Sequence, residues 1–543
     1  MKLLTLLSVL GSLLSLAFGD RGPKDSIARC CLLLAPLKTY VSFPNSPVYV
    51  NETTGSLAYW SSFESDLIPA CRFSPQNTAD LALGVRILSS NQCKFAIRSG
   101  GHMPFPGASN YDGKGRDGVT IDLSNINHVQ IFDSWKQKGV VRNEKVVKLG
   151  PGARWGDVYA KLDPLALTVP GGRVDTVGVG GYLLGGGLSF FAHTAGFACN
   201  SVLQYEVVLG NGSIVLADSS LNSDLWLALK GGHNNLGVVS SFTMKPLAIP
   251  NGIWAGDLIN DPKYLPQVYE ALYNFGEVAG RDGLTTDISG STSIFYFTSP
   301  QTSFISNYLA SSTGLAYPPI LSNFTSIPAL SNTLRKASLR DFAIELGGTD
   351  SGAFIRGHRQ ILGEVTFKNS VEMMKSGQRI FEDAFRPFKD VRGFTKAMIL
   401  QPLHRAILAA SEKMGGNILG LGEKDGNTVW FAILLTWDDT SFDDTINDAC
   451  EKFFEGFNEA AKRLGVYHPF VYLNYATKDQ DPISSYGPAN VQKLKAAARK
   501  YDHDRVFQRL VPGGFKLLHG EGDDHDHDDD DEDQHHGHHH GRH

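Results

Sequence analysis

Hydrophobic and polar positions alternate along this chain in two textures. Between residues 81 and 246, short β-rich runs separate Gly-rich turns and a few helical patches; 119–123, 146–149, 205–209 and 213–216 read as strands. The last two flank Gly210-Asn211-Gly212, a hairpin signal because both residue types tolerate the left-handed backbone of a tight turn. Beyond Pro246 and Pro250 the pattern lengthens, with apolar residues at helical spacing over 371–385 and 444–463 and β-rich runs such as 429–435 between them. A further helix is predicted over 490–500, where Val491, Leu494, Ala498 and Tyr501 fall at helical spacing. The two textures predict an α+β fold in more than one part, and 543 residues with 42% hydrophobic content suffice for two packed cores.

The ends of the chain follow other rules. Lys2, the apolar run 3–16 and the small residues around Ala17-Phe18-Gly19 read as an export signal over 1–19, with the mature chain starting near Asp20. The run is shorter than the roughly 20 residues of a spanning helix, so no membrane anchor is expected. Export implies an oxidising compartment, in which Cys30, Cys31, Cys71 and Cys93 pair as disulfides, the pairing left open. Cys199 and Cys450 stand alone, without metal-ligand spacing, and read as buried thiols. Asn51, Asn211 and Asn323 each open an Asn-x-Ser/Thr triplet and are candidate glycosylation sites.

Charge changes the picture little. The formal net charge is −6, but the tail 519–543 holds ten acids and one Arg, a net −9, so the remainder carries +3. A body this close to neutral argues against nucleic acid or an electrostatic membrane partner. The tail is nearly all Asp, His and Gly and has nothing with which to build a core.

Two stretches carry candidate chemistry. In Phe95-Ala96-Ile97-Arg98-Ser99-Gly100-Gly101-His102 an apolar strand runs into a Gly-Gly turn, which lets backbone N–H groups approach a ligand such as a pyrophosphate. Residues 169–187 place eight glycines in nineteen positions, interleaved with Val, Leu and Tyr. Each glycine costs about 0.5–1 kcal/mol within regular structure, so such a belt implies close backbone approach; the interleaved apolar residues suit a wall against a large flat ligand. There is no Rossmann fingerprint, Walker A loop, G-x-S-x-G elbow or H-E-x-x-H helix, which disfavours nicotinamide enzymes, kinases, hydrolases and zinc proteases.

With Gly231-Gly232-His233-Asn234-Asn235-Leu236-Gly237-Val238-Val239, Tyr472-Leu473-Asn474-Tyr475, Tyr486-Gly487 and 501–507 in order behind these two stretches, the chain resembles a known family from Cys30 to Leu517. It is similar to the FAD-linked oxidases of the vanillyl-alcohol oxidase and p-cresol methylhydroxylase superfamily, in the berberine-bridge-enzyme-like branch, and most to secreted fungal members. The resemblance implies an N-terminal segment over 20–62, a two-part FAD-binding domain over 63–247, and a substrate domain over 248–470 with an antiparallel sheet covered by helices. A segment over 471–517 would return to the flavin, and 518–543 would be a disordered tail.

On this resemblance Arg98, Ser99, Gly100, Gly101 and His102 form the pyrophosphate loop, with His102 bonded covalently to FAD. Ser109, Val177, Gly178, Gly180, Gly181, Gly185, Gly186 and Gly187 would line the cofactor, Val239 would meet its adenine end, and Asn474 would return across it. Many relatives have a second link through a Cys where this chain has Val174, so a single bond is expected. Tyr472 and Tyr475 are the candidate catalytic bases; a tyrosine titrates near 10, so such a role requires a cation or donor beside the oxygen. Gln401, His404 and Tyr182 are weaker candidates for the pocket. The implied reaction takes hydride from an alcohol, of a carbohydrate or secondary metabolite, to FAD and then to O2, giving hydrogen peroxide. Alternatives are a dehydrogenase with another acceptor, an oxidative cyclase and, more distantly, a non-catalytic secreted glycoprotein with a metal-chelating tail. Oligomeric state carries no sequence signal.

Overall fold

The structure is a computed structural model and describes residues 29–55, 58–137, 139–279, 290–298, 303–347 and 355–517. The export signal and the Asp/His-rich tail lie outside the described residues.

The N-terminal half is built on two sheets. In the first, Cys71–Phe73 and Phe95–Arg98 both run parallel to Val119–Asp122, which lies between them, and Val41–Ser42 adds an antiparallel edge. The helix Thr78–Ser90 makes the crossover; Asn77 caps its start by accepting from the Asp80 N–H at 3.0 Å, and Leu81, Val85 and Leu88 bury its inner face. Because Val119–Asp122 fills the gap left by this crossover, the loop after Arg98 travels over the sheet end before the chain returns. That loop carries His102.

The second sheet is antiparallel, in the order Ile214–Asp218, Val202–Val208, Val238–Met244, Val146–Leu149 and Val129–Phe132. Its first two strands form the hairpin expected at Gly210-Asn211-Gly212, with Val208 opposite Ile214 and Gly212 at φ +80°. Asn211 is exposed at this turn, and Asn51 and Asn323 are exposed as well.

The C-terminal half centres on an eight-stranded antiparallel sheet in which Gly290–Thr298, Thr395–Leu403, Thr428–Trp437 and Arg359–Lys368 are successive neighbours. Alternation assigns its faces. Val429, Phe431, Ile433 and Leu435 join the core beneath the helices Val371–Phe385 and Asp443–Arg463, whereas Ala432 and Leu434 point the other way with Leu362 and Ile399. Helix Asp443–Arg463 buries Ile446, Cys450, Phe453, Phe457 and Ala461 along one stripe and carries acids in its first turn and bases in its last, as the helix dipole favours.

Both ends of the described chain are tied to the first sheet. Disulfides join Cys30 to Cys93 and Cys31 to Cys71, fastening helix Arg29–Leu33 to the turn before strand Phe95–Arg98 and to strand Cys71–Phe73. The Phe95 N–H donates to the Leu510 carbonyl at 2.8 Å, so the C-terminal segment closes over the same edge. Cys199 and Cys450 are free and buried. Among the described residues, no helix is long and apolar enough to cross a membrane.

Replacing Cys31 and Cys71 together by Ser should lower unfolding free energy by about 2–4 kcal/mol in chemical denaturation, the range for removing a native cross-link. Peptide mapping of unreduced protein should recover the Cys30–Cys93 and Cys31–Cys71 pairs.

Candidate active site

The glycine belt and the His102 loop meet backbone to backbone. A Cβ on Gly100 would lie 2.4 Å from the Gly178 nitrogen, and one on Gly178 would lie 2.4 Å from the Gly100 nitrogen. No other residue fits at either position without moving the chain. Ser99 fastens the crossing: its hydroxyl donates to the Pro151 carbonyl at 2.6 Å and accepts from the Gly180 N–H at 3.2 Å. Gly101 sits at φ +63°, in the left-handed region that glycine enters without strain.

The two segments wall a cleft with a cavity volume of ≈ 210 Å³; a second cavity measures ≈ 20 Å³. Ser99, Gly100, Gly101, His102, Ser109, Val177, Gly178, Gly180, Gly181, Tyr182, Val239, Gln401, Tyr472, Asn474 and Tyr475 all line it, so residues far apart in the sequence converge. Gly181 has open space where a side chain would stand, nothing lying within 4 Å of a Cβ built there. Bare backbone facing an open cleft is what a flat ligand pressed against the belt requires.

Several sequence candidates sit elsewhere. Arg98 does not line the cleft; its guanidinium donates to the Asp122 carboxylate and, from Nε at 3.1 Å, to the Ala58 carbonyl. Gly185, Gly186 and Gly187 lie behind the wall: a Cβ on Gly185 would strike the Asn474 amide at 2.0 Å, and the Gly187 N–H donates to Tyr472 Oη at 3.0 Å. His404 lines the smaller cavity.

His102 is held from the other side by Trp60, whose indole stacks on the imidazole with centroids 4.6 Å apart and whose backbone N–H donates to the Gly101 carbonyl at 2.9 Å. Burial, with the charges of Arg356 and Arg154 adding to it, pushes the imidazole down to about 3, so the ring is neutral and keeps a nitrogen lone pair. Glu64 braces the wall further along, its carboxylate accepting from the Ala108 N–H at 2.7 Å and the Ser109 hydroxyl at 3.3 Å.

The two candidate tyrosines differ. Tyr472 is fully buried, stacks on Trp430 at 4.2 Å, and accepts from Gly187 N–H at 3.0 Å and Asn474 Nδ2 at 3.1 Å. Burial, reinforced by neighbouring Tyr475, holds its phenol well above the ordinary 10 despite those two donors. Tyr475 is half-buried, and Arg173 Nη2 donates to its oxygen at 3.0 Å and to Gln401 Oε1 at 2.8 Å. Arg173 thus places a guanidinium on the Tyr475 oxygen. It stands inside the glycine belt, where a lone Arg among glycines is the signal that sequence reasoning passed over. Trp60, Arg154, Arg356 and Glu64 gave no comparable signal.

Beyond these polar groups, the wall contributed by the large sheet and its neighbours is apolar: Leu346, Leu362, Ile399 and Val174. The fold and cleft together define a flavin-binding protein, and comparison with known proteins gives the same class. The sequence profile of an FAD binding domain matches residues 69–218. The chain is 34% identical over 493 residues to the FAD-dependent monooxygenase sdcF of Emericella nidulans, covering 90% of this chain and 98% of that one. It is 36% identical to the FAD-dependent monooxygenase FUP4 of Fusarium proliferatum, over 85% and 87% of the two chains. Among solved structures, glucooligosaccharide oxidase from Acremonium strictum superposes with a TM-score of 0.68 at 20% identity over 91% of this chain and 99% of that one. Physcomitrella patens BBE-like 1 gives 0.68 at 18%, over 90% and 99%.

The chain therefore belongs to the family of FAD-linked oxidoreductases that includes these fungal relatives, and it shares the fold of the BBE-like and glucooligosaccharide oxidase structures. It is an enzyme of that family, with the two-part FAD-binding domain of p-cresol methylhydroxylase type and the helix-covered antiparallel sheet expected from sequence.

Gly178→Ala should lower stability by about 1–3 kcal/mol, as overpacking does, whereas Gly181→Ala should leave the apoprotein as stable as wild type while lowering flavin bound per chain. Thermal unfolding and flavin absorbance separate the two effects. A pH effect comes from Glu364, which accepts from the Tyr472 N–H at 2.8 Å and which burial pushes from the usual 4.5 up to about 8. The folded state holds this proton more tightly than the unfolded chain, so the stabilisation is complete below pH 4.5 and is lost as pH rises to about 8. Glu364→Gln should make that decline shallower by up to about 1.4 kcal/mol per pH unit, read from denaturation midpoints across the window.

Proposed function

We propose that this protein holds FAD through one covalent bond to His102 and oxidises an apolar alcohol, returning the electrons to O2 as hydrogen peroxide. The observation that carries the reading is a neutral, buried imidazole lining the same cleft as a tyrosine paired with an arginine. A neutral imidazole has the lone pair that bonding to carbon consumes; a protonated one does not. Glucooligosaccharide oxidase from Acremonium strictum carries a 6-S-cysteinyl, 8α-N1-histidyl FAD. Val174 stands in this chain where a cysteine would supply the first of those links, so His102 is left as the one attachment.

Bound FAD would supply the hydride acceptor and the route to dioxygen. The protein's own part is to orient the substrate and move one proton. Tyr475 Oη takes the hydroxyl proton, and Arg173 puts positive charge where a deprotonated Tyr475 carries negative. Gln401 Oε1 fixes the guanidinium, and Asn474 Nδ2, donating at 3.1 Å to the Tyr182 carbonyl, holds the C-terminal segment over the belt. Tyr472 is the structural member of the tyrosine pair, its oxygen spent on two donors.

The wall of Leu346, Leu362 and Ile399 favours an apolar alcohol over a carbohydrate, whose hydroxyls each need a polar partner when buried. The export signal and the sequons extend the reading to a secreted glycoprotein. The names of the fungal relatives favour a second reading, in which an oxygen atom enters the product. One equivalent of peroxide per product supports the oxidase, and label from ¹⁸O2 in the product supports oxygen insertion.

The purified protein should stay yellow after acid denaturation, and His102→Ala should lose the colour. A colourless wild type sinks the covalent assignment. Tyr475→Phe should keep its flavin and reduce it about 10²–10⁴-fold more slowly with substrate, the range for losing a general base.

A further inference from the structure

The smaller cavity shares Gln401 with the cleft, this residue lining both spaces. Arg173 decides which way that amide faces. A guanidinium only donates, so the atom Arg173 meets at 2.8 Å is the amide oxygen, and Nε2 must point away. Gln401 Nε2 is buried and has no hydrogen-bond partner among the described residues, and His404 Nδ1 is in the same condition. Both residues line this cavity, as do His193 and Phe275.

His404 is fixed in place, its ring edge-on to Phe275 with centroids 5.9 Å apart. Burial, with His193 adding to it, pushes His404 down to about 3, so the ring is neutral and one nitrogen can accept. A buried donor and a buried acceptor thus share a space of ≈ 20 Å³, and one water needs about 10–15 Å³. Buried polar atoms that do not reach each other directly are ordinarily joined in this way.

We propose that this cavity is a site for a single ordered water that accepts from Gln401 Nε2 and donates to His404 Nδ1. The water pins the amide, the amide oxygen pins Arg173, and Arg173 holds Tyr475, which makes His404 a positioning residue for the proton-accepting corner. The last step rests on Tyr475 being the base; the water site does not.

A crystal structure of the wild-type holoprotein that resolves ordered solvent should contain a water within about 2.7–3.2 Å of both atoms. A dry cavity, or one filled by a side chain, overturns the site. Rapid-mixing measurements of flavin reduction should find His404→Leu slower by about tenfold, with substrate affinity changed less than about threefold, and His404→Gln, which restores an acceptor, close to wild type. His404→Leu reducing its flavin at the wild-type rate overturns the positioning role. Tyr475→Phe is measured alongside: if it too reduces flavin at the wild-type rate, the base assignment fails, and the solvent density still decides the water site.

Discussion

Two strands of backbone touch at Gly100 and Gly178, and the cleft depends on that contact. A methyl group at either position would come within 2.4 Å of the other segment's nitrogen, so the crossing exists only because both residues lack a side chain. Once it exists, the rest is placed in sequence. Ser99 ties the first segment to Pro151 and the second to itself through Gly180, Trp60 bonds to Gly101 and stacks on His102, and the belt continues into the turn that receives Tyr472. The entropic cost of so many glycines is offset by a wall that needs no side chains to be rigid.

Electrostatics then sorts the polar groups by how much solvent each has lost. His102 is neutral because burial and two guanidiniums oppose its protonation together. Asp122 stays ionised although burial opposes it, because Arg98 and Arg72 lie on either side. The same logic divides the tyrosines. Tyr472 faces neutral N–H donors in a fully buried position, where they do not repay desolvation, so its phenol keeps its proton; Tyr475 is half-buried and accepts from Arg173 instead.

How far this was legible in the sequence depended on whether the information was local. The 371–385 helix, the 146–149 strand and the hairpin around Asn211 are fixed by spacing and turn chemistry within a few residues, and they stand in the structure as Val371–Phe385, Val146–Leu149 and the pair Val202–Val208 with Ile214–Asp218. The convergence of the glycine belt and the C-terminal tyrosines was legible only through family resemblance. Arg173 illustrates the remainder: its partners Gln401 and Tyr475 lie 228 and 302 residues away, and no local pattern marks such pairs. Arg98 shows the converse. Its place in the loop suggested a ligand contact, but a neighbouring strand's Asp122, buried and needing a cation, has taken the guanidinium. The disulfide pairing was likewise closed by three dimensions alone, since four clustered cysteines permit three pairings.

The two walls of the cleft are made of different material, and this separates the parts of the reaction. One wall is backbone: glycines whose removal breaks the crossing, so it admits little variation and suits a cofactor that does not change. The other is a set of side chains, Leu362 and Ile399 on strands and Leu346 on a helix, beside a sheet whose opposite face is sealed where Phe431 packs on Phe453 and Phe457 of helix Asp443–Arg463. Because successive strand residues point to opposite faces, a change at 362 or 399 alters what the cleft accepts without touching the core that holds the sheet. Gln401, Arg173 and Tyr475 sit where the two walls meet, so this hydrogen-bonded corner is built from both and can stay fixed while the apolar face beside it is redrawn.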